Sequence, residues 1–170
     1  MSEPIAHLLG PSGSIPNHPT FPLLVYPGAF PPGATPESIR ELFASHLWGD
    51  SWVNGVFSYH HFHSCAHEVL GCFAGEARVQ FGGPGGPEVE IRSGDAVVIP
   101  AGVGHRNLGS SRDFAVVGAY PPGEDRDVCS GGEFSEEEAR QRIASVPLPP
   151  ADPIAGTEGP LFSHWLPPEG

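Results

Sequence analysis

Four histidines and one glutamate fall within nine consecutive residues, and a further histidine lies about forty residues on. On a strand, residues two apart point to one face, so His61 and His63 present two imidazoles side by side. A turn would bring in Glu68 from the next strand, and a later strand would bring in His105. Three neutral nitrogens and one carboxylate oxygen suit a divalent transition metal such as Fe, Mn, Ni, Cu or Zn.

Short strands are the elements that must position these side chains. Between Ser51 and Tyr120, short runs of Val, Phe, Ile and Tyr alternate with glycine-rich turn segments, as in ARVQFGG, VEIRSG and DAVVIPAG. Strands this short and this regularly spaced predict an all-β sandwich or barrel. The Gly82–Pro87 segment is expected to be a loop between two strands, because it lacks the lysine and the following helix of a phosphate-binding loop.

Two helices are predicted outside the strand-rich region. Thr35 suits the N-cap of a helix that begins at Pro36, since proline is favoured at the first helical position. The apolar face of this helix would carry Ile39, Leu42, Phe43 and Leu47. Ser135 suits the N-cap of a second helix, with Glu136 to Glu138 at its positive end.

The length of 170 residues predicts a single domain. We expect an N-terminal arm, strand and helix over residues 1–50, a barrel core over 51–122, and a helix with a Pro-rich tail over 123–170. The tail should be extended and should pack on the barrel through Leu161, Phe162 and Trp165.

Composition excludes several classes of partner. The formal net charge is −12, and all eight basic residues are arginines, so neither nucleic acid nor an anionic membrane surface is an expected partner. No run approaches the roughly 20 apolar residues of a membrane span. Cys65, Cys72 and Cys129 are odd in number and lack CxxC spacing, which favours a reducing cytoplasm over a disulfide framework.

Two spaced motifs resemble those of the cupin superfamily. In the first, five residues separate Gly55 from the His61-Phe62-His63 triplet, four more precede Glu68, and six more precede Gly75. In the second, five residues separate Gly94 from Pro100-Ala101-Gly102, and two more precede His105. The phrases AHEVLG, PAGVGH and VVGAYPPG also resemble a subgroup, the YjlB-type single-domain cupins.

The resemblance implies a jelly-roll β-barrel with one or two short peripheral helices and one metal ion inside. It also implies the usual ligand set of the family, which here is His61, His63, Glu68 and His105. One departure concerns the second motif, which usually continues to an asparagine four residues after its histidine. This chain has Gly109 at that position.

His67 is the alternative to Glu68 as a ligand, because some cupins place a third histidine four residues after the second. We prefer Glu68, since its spacing from Gly75 keeps it in register with the strand end. Neighbours on a strand cannot face the same way, so only one of the two should reach the metal.

Strand parity nominates further residues for the pocket. Cys72 shares parity with Glu68, but a small buried hydrophobic residue is the preferred interpretation. Phe57 and Tyr59 share parity with His61 and could form a pocket wall, although ordinary inner-face packing is preferred. Asn107 shares parity with His105 and could contact a ligand or substrate.

Two functions follow from the resemblance. The first is a metal-dependent enzyme of dioxygenase or isomerase type that acts on a small polar organic molecule, with Glu68 as a catalytic base. The second is a non-catalytic cupin that binds a metal or metabolite as a sensor or accessory protein. A metal-free epimerase-like cupin is disfavoured because the ligand set is intact. A homodimer is expected, as in many cupins.

Overall fold

Nine strands in two antiparallel sheets are found within residues 3–123 and 126–166, which the computed structural model describes. The strands are β1 (Ile5–His7), β2 (Leu23–Tyr26), β3 (Gly49–Asn54), β4 (Glu68–Ala74), β5 (Glu76–Phe81), β6 (Glu88–Arg92), β7 (Ala96–Ile99), β8 (His105–Ser110) and β9 (Ala115–Tyr120). The larger sheet has the order β1-β2-β7-β4-β9-β3, and the smaller has β6-β5-β8. This architecture confirms the predicted all-β cupin jelly roll.

The inner strands of the larger sheet are buried on both faces, which explains the nearly continuous apolar runs of β2 and β7. Leu23 and Val25 face the interior between the two sheets and pack in one cluster with Val79 of the smaller sheet. Leu24 and Tyr26, which alternate with them, pack in a second cluster on the outer face. Because successive residues of a strand point to opposite faces, β2 serves both cores at once.

Helices cover the outer face of the larger sheet and flank the barrel. Helix α1 (Pro36–Ser45) begins at the predicted N-cap, where Thr35 and Ser38 form a capping box. Helix α2 (Glu136–Ala144) is capped by Ser135, also as predicted. No helix within the described ranges has the length and apolarity needed to cross a membrane.

Two details of the helix predictions are wrong. Leu47 does not extend the apolar face of α1, because the helix ends at Ser45 and the backbone of Leu47 turns to a positive φ of 68°. Its side chain is therefore 57% exposed, and the next residue, Trp48, is fully buried instead. The C-terminal tail was expected to be extended, but it contains a third helix, α3 (Leu161–Trp165).

The C-terminal segment docks on the outer face through a buried aspartate. Leu161 and Trp165 pack in the outer cluster. The carboxylate of Asp152 is fully buried and accepts hydrogen bonds from the Tyr26 hydroxyl at 2.7 Å and from the N–H of Leu161 at 3.0 Å. It also accepts hydrogen bonds from the backbone N–H groups of Ile154 and Ala155 at 2.7 and 3.0 Å. One side chain thus ties the tail to β2.

Replacing Asp152 by alanine should destabilise the protein by about 3 kcal/mol or more, because three buried donors and one partly buried donor lose their acceptor. Urea denaturation followed by circular dichroism measures this loss. The matched control is Asp113→Ala, which removes an exposed aspartate and should cost less than about 1 kcal/mol. Equal losses in the two variants would show that the Asp152 network does not hold the tail.

Candidate metal centre

The segment that carries His61 and His63 is irregular, so the prediction of a continuous strand is wrong at this point. Strand β3 ends at Asn54, and residues 55–60 form no strand. His61 is held instead by one bridge to β8, in which its N–H donates to the His105 carbonyl at 3.2 Å and its carbonyl accepts the His105 N–H at 2.9 Å. Phe62 bridges Cys129 and enters a small buried cluster. The side chains of this segment therefore still alternate in direction, with Phe62 on one side and the two histidines on the other, although no regular strand forms.

The structure brings the four predicted ligands together. One ring nitrogen each from the buried His61, His63 and His105 lies within 4.8 Å of the others, so these three residues could hold a metal ion. Glu68 is the first residue of β4 and is also buried. Its Oε1 lies 3.4 Å from Nε2 of His63 and 3.4 Å from Nε2 of His105.

Backbone carbonyls fix the orientation of all three imidazoles. Nδ1 of His61 lies 3.1 Å from the Tyr59 carbonyl, and Nδ1 of His105 lies 3.1 Å from the Val103 carbonyl. Nδ1 of His63 lies 2.6 Å from a carbonyl of a distant loop, that of Asp127. A carbonyl only accepts, so each Nδ1–H donates, and each Nε2 is left as the atom that can bind a metal.

The electrostatics of the centre favour a positive charge beside Glu68. Burial, with a further contribution from His105, lowers the pKa of His61 to about 3. For His63, burial also acts to lower the pKa, but Glu68 outweighs it and raises the pKa to about 9. Burial would raise the pKa of Glu68, yet the neighbouring His63 and His105 hold it far below its usual range. A buried carboxylate that stays ionised needs a cationic partner, which a proton or a metal ion would supply.

His67 points away from this centre. Its Nδ1 accepts the N–H of Ala101 at 2.9 Å, and its Nε2 lies 3.2 Å from the Pro147 carbonyl. Burial, followed by the effect of His18, lowers the pKa of His67 to about 3. Both ring nitrogens are therefore occupied on the opposite side of the chain, and this geometry favours Glu68 over His67 as the fourth ligand.

A cavity of about 360 Å³ opens onto the four side chains. Its walls include three residues at or near β3, namely Trp52, Val56 and Phe57, and also Leu70, Tyr120 and Val128. Phe57 therefore belongs to the pocket wall, and the preference for inner-face packing was wrong, because both Phe57 and Tyr59 are 48% exposed.

The other residues nominated by strand parity lie elsewhere. Cys72 is buried in the inner core, as preferred. The side chain of Asn107 is used within its own strand, where it accepts a hydrogen bond from the Gly109 N–H and donates one to the Ser110 hydroxyl. A bulge between β5 and β8 at this point shifts the register, which explains why parity failed for Asn107.

Asp127 and Tyr120 are residues of the site that sequence reasoning missed. The carbonyl of Asp127 orients His63, and its carboxylate accepts the backbone N–H of Ser64 at 2.8 Å. Nothing in the sequence marks Asp127, because it lies on a loop about 60 positions away. Tyr120 lies in the VVGAYPPG phrase, which was the signal that could have found it, but its position opposite Glu68 depends on strand pairing.

The sequence is similar to one curated protein across nearly its whole length. It is 49% identical over 154 residues to the uncharacterized protein YjlB of Bacillus subtilis (strain 168), covering 91% of this chain and 92% of that protein. No family model matches the sequence.

Solved structures with a similar fold are more distant. WlaRA, a TDP-fucose-3,4-ketoisomerase from Campylobacter jejuni, is 8% identical with a TM-score of 0.40, over 56% of this chain and 74% of that one. A DUF861 family protein from Thermotoga maritima is 23% identical with a TM-score of 0.32, over 52% and 91%. Procruciferin, an 11S globulin from Brassica napus, is 16% identical with a TM-score of 0.39, over 76% and 37%. Similarity this low carries no argument about function.

The protein should lose stability as the pH falls from about 6.5 to about 4. Nδ1 of the buried His18 accepts the N–H groups of Thr20 and Phe21 at 3.2 and 2.9 Å. Burial lowers the pKa of His18 to about 4, so in this window the unfolded chain binds a proton that the folded chain does not. Between pH 7 and pH 5, urea denaturation should show a loss of about 1–2 kcal/mol from this residue.

His18→Asn provides the test, because asparagine keeps a hydrogen-bond acceptor but does not titrate. The difference in stability between pH 7 and pH 5 should shrink by about 1–2 kcal/mol in this variant. The matched control, His7→Asn at a partly exposed histidine, should keep the full difference. An unchanged difference in His18→Asn would contradict the assignment.

Proposed function

Because the chain belongs to the YjlB-type cupins, we propose that it binds one divalent transition metal ion through His61, His63, Glu68 and His105. The observation that supports this proposal is the fixed direction of the three imidazoles, whose Nδ1–H groups all donate to carbonyls. The Nε2 atoms are thereby left for a metal, and Glu68 adds a carboxylate oxygen. Fe, Mn, Ni, Cu and Zn all suit such a donor set.

We also propose that the protein is an enzyme of dioxygenase or isomerase type. When bound, the metal would supply Lewis acidity toward a substrate oxygen and, in a dioxygenase, a position for dioxygen. A cavity of about 360 Å³ fits a small organic molecule. None of the described residues that line it is an arginine, and the sequence has no lysine. An anionic group of the substrate would therefore find its cationic partner only at the metal.

Glu68 is the residue best placed to move a proton. It is buried, it lines the cavity, its pKa is held far below the usual range, and its Oε1 lies beside the imidazoles of His63 and His105. A carboxylate in this position would accept a proton from a substrate bound at the same point. The apolar side chains of Phe57, Leu70 and Val128 line the cavity that leads to that point.

Glu68→Gln should lower turnover by about 100-fold or more, because the amide cannot act as a base, while the three histidines still retain metal. The measurement is product formation by Fe- and Mn-loaded protein, with and without dioxygen, on small enols, diols and hydroxy acids. The matched control is Glu133→Gln on an exposed loop, which should leave turnover within twofold.

The outcomes separate the two functions. Product formed by the wild type and lost in Glu68→Gln supports the enzyme. A saturable rise in melting temperature with a compound, without any product, would support the alternative of a non-catalytic metal- or metabolite-binding cupin.

A cytoplasmic location and a homodimer complete the proposal. The three cysteines are free thiols, which suits a reducing compartment. The first strand lies at an edge of the larger sheet, and Ile5 and Leu8 are exposed there. Pairing of two copies through this edge would cover them.

A further inference from the structure

Strand register places Tyr120 beside Glu68. Strand β9 lies between β4 and β3 in the larger sheet. Val69 of β4 pairs with Ala119 of β9 in an antiparallel ladder, so the next position of that ladder sets Glu68 opposite Tyr120. Side chains of opposed residues on neighbouring strands have Cβ atoms about 5 Å apart. Both residues line the same cavity.

Trp52 reaches Tyr120 from the other side. Trp52 of β3 pairs with Gly118 of β9, and a Cβ on Gly118 would overlap the Cε2 and Cζ2 atoms of the indole. Glycine at this position lets the indole lie flat across β9. The indole Nε1–H then donates to the Tyr120 hydroxyl at 2.9 Å.

This hydrogen bond determines what the Tyr120 hydroxyl can do. The indole N–H is only a donor, so the tyrosine oxygen accepts from it and keeps its single proton for another acceptor. Oε1 of Glu68 faces the imidazoles of His63 and His105, and Oε2 is left for the hydroxyl.

The ring of Tyr120 is fixed in place by two further contacts. The Arg126 guanidinium lies 4.2 Å from the ring centroid, in a cation–π arrangement, and also pairs with Asp50 at 2.6 Å. The ring of His63 meets the tyrosine edge to face at 6.0 Å. The hydroxyl is therefore presented to Glu68 by a rigid group.

We propose that Tyr120 is a positioning residue for Glu68: its hydroxyl donates to Oε2 and holds Oε1 toward the three histidines, while Trp52 holds the hydroxyl. This inference rests on the proposed metal site. Residues that orient metal ligands in this way typically contribute about 10–100-fold to metal affinity.

Co(II) binding tests the inference, with affinity measured by chelator competition and geometry by the visible absorption of the bound ion. Tyr120→Phe should weaken Co(II) binding about 10-fold or more and shift the visible bands. Trp52→Phe, which removes the indole N–H together with part of the ring, should act in the same direction with a smaller effect. Tyr26→Phe, which removes a buried tyrosine hydroxyl from the outer face of the larger sheet, is the matched control and should stay within twofold.

A double-mutant cycle shows whether Tyr120 acts through Glu68. In a Glu68→Ala background, adding Tyr120→Phe should change Co(II) affinity by less than twofold. An equal loss in both backgrounds, or no loss in the wild-type background, would overturn the inference while leaving the metal site intact. Wild-type protein that fails to bind Co(II) would instead overturn the proposed metal site itself.

Discussion

The ionised, fully buried carboxylate of Glu68 is the constraint on which the rest of the site depends. Removing a carboxylate from water costs several kcal/mol unless a positive partner and hydrogen bonds replace the lost hydration. Here His63 and His105 lie 3.4 Å from one carboxylate oxygen. The Nδ1–H groups of all three imidazoles already donate to carbonyls. The space between the three Nε2 atoms and the carboxylate is therefore the one place in the centre for a positive charge. Under the proposed function, a divalent cation occupies that place.

The scaffold supports this centre by burying the larger sheet on both sides. Strands β4 and β9 are held between the inner core and an outer layer built from α1 and the C-terminal segment. Backbone positions at Glu68 and Tyr120 are therefore fixed from two directions. Residues 55–60 form no strand and pair with no neighbouring strand. They form the rim of the cavity, so the cavity opens where the backbone is least constrained by strand pairing.

The sequence allowed the fold class and the four convergent residues to be predicted, because both depend on local spacing and on alternation along strands. Predictions from the alternation of side chains along a strand were wrong where the pairing of strands is interrupted. Asn107 lies beside a bulge, and the half-exposed rings of Phe57 and Tyr59 lie where no strand forms. Asp127 and the Trp52–Tyr120 pair could not be predicted from local patterns, since their contacts join positions 63 to 68 residues apart. Such contacts depend on tertiary packing and on one glycine that leaves room for an indole.

Metal content is the most direct measure of the central claim, that three imidazoles and one carboxylate share a cation. Elemental analysis of purified protein should give about one transition metal ion per chain in the wild type and at least tenfold less in His61→Ala. His60→Ala, which alters the neighbouring ring outside the cluster, should retain the wild-type content. Equal metal content in His61→Ala and the wild type, or none in either, would contradict the account.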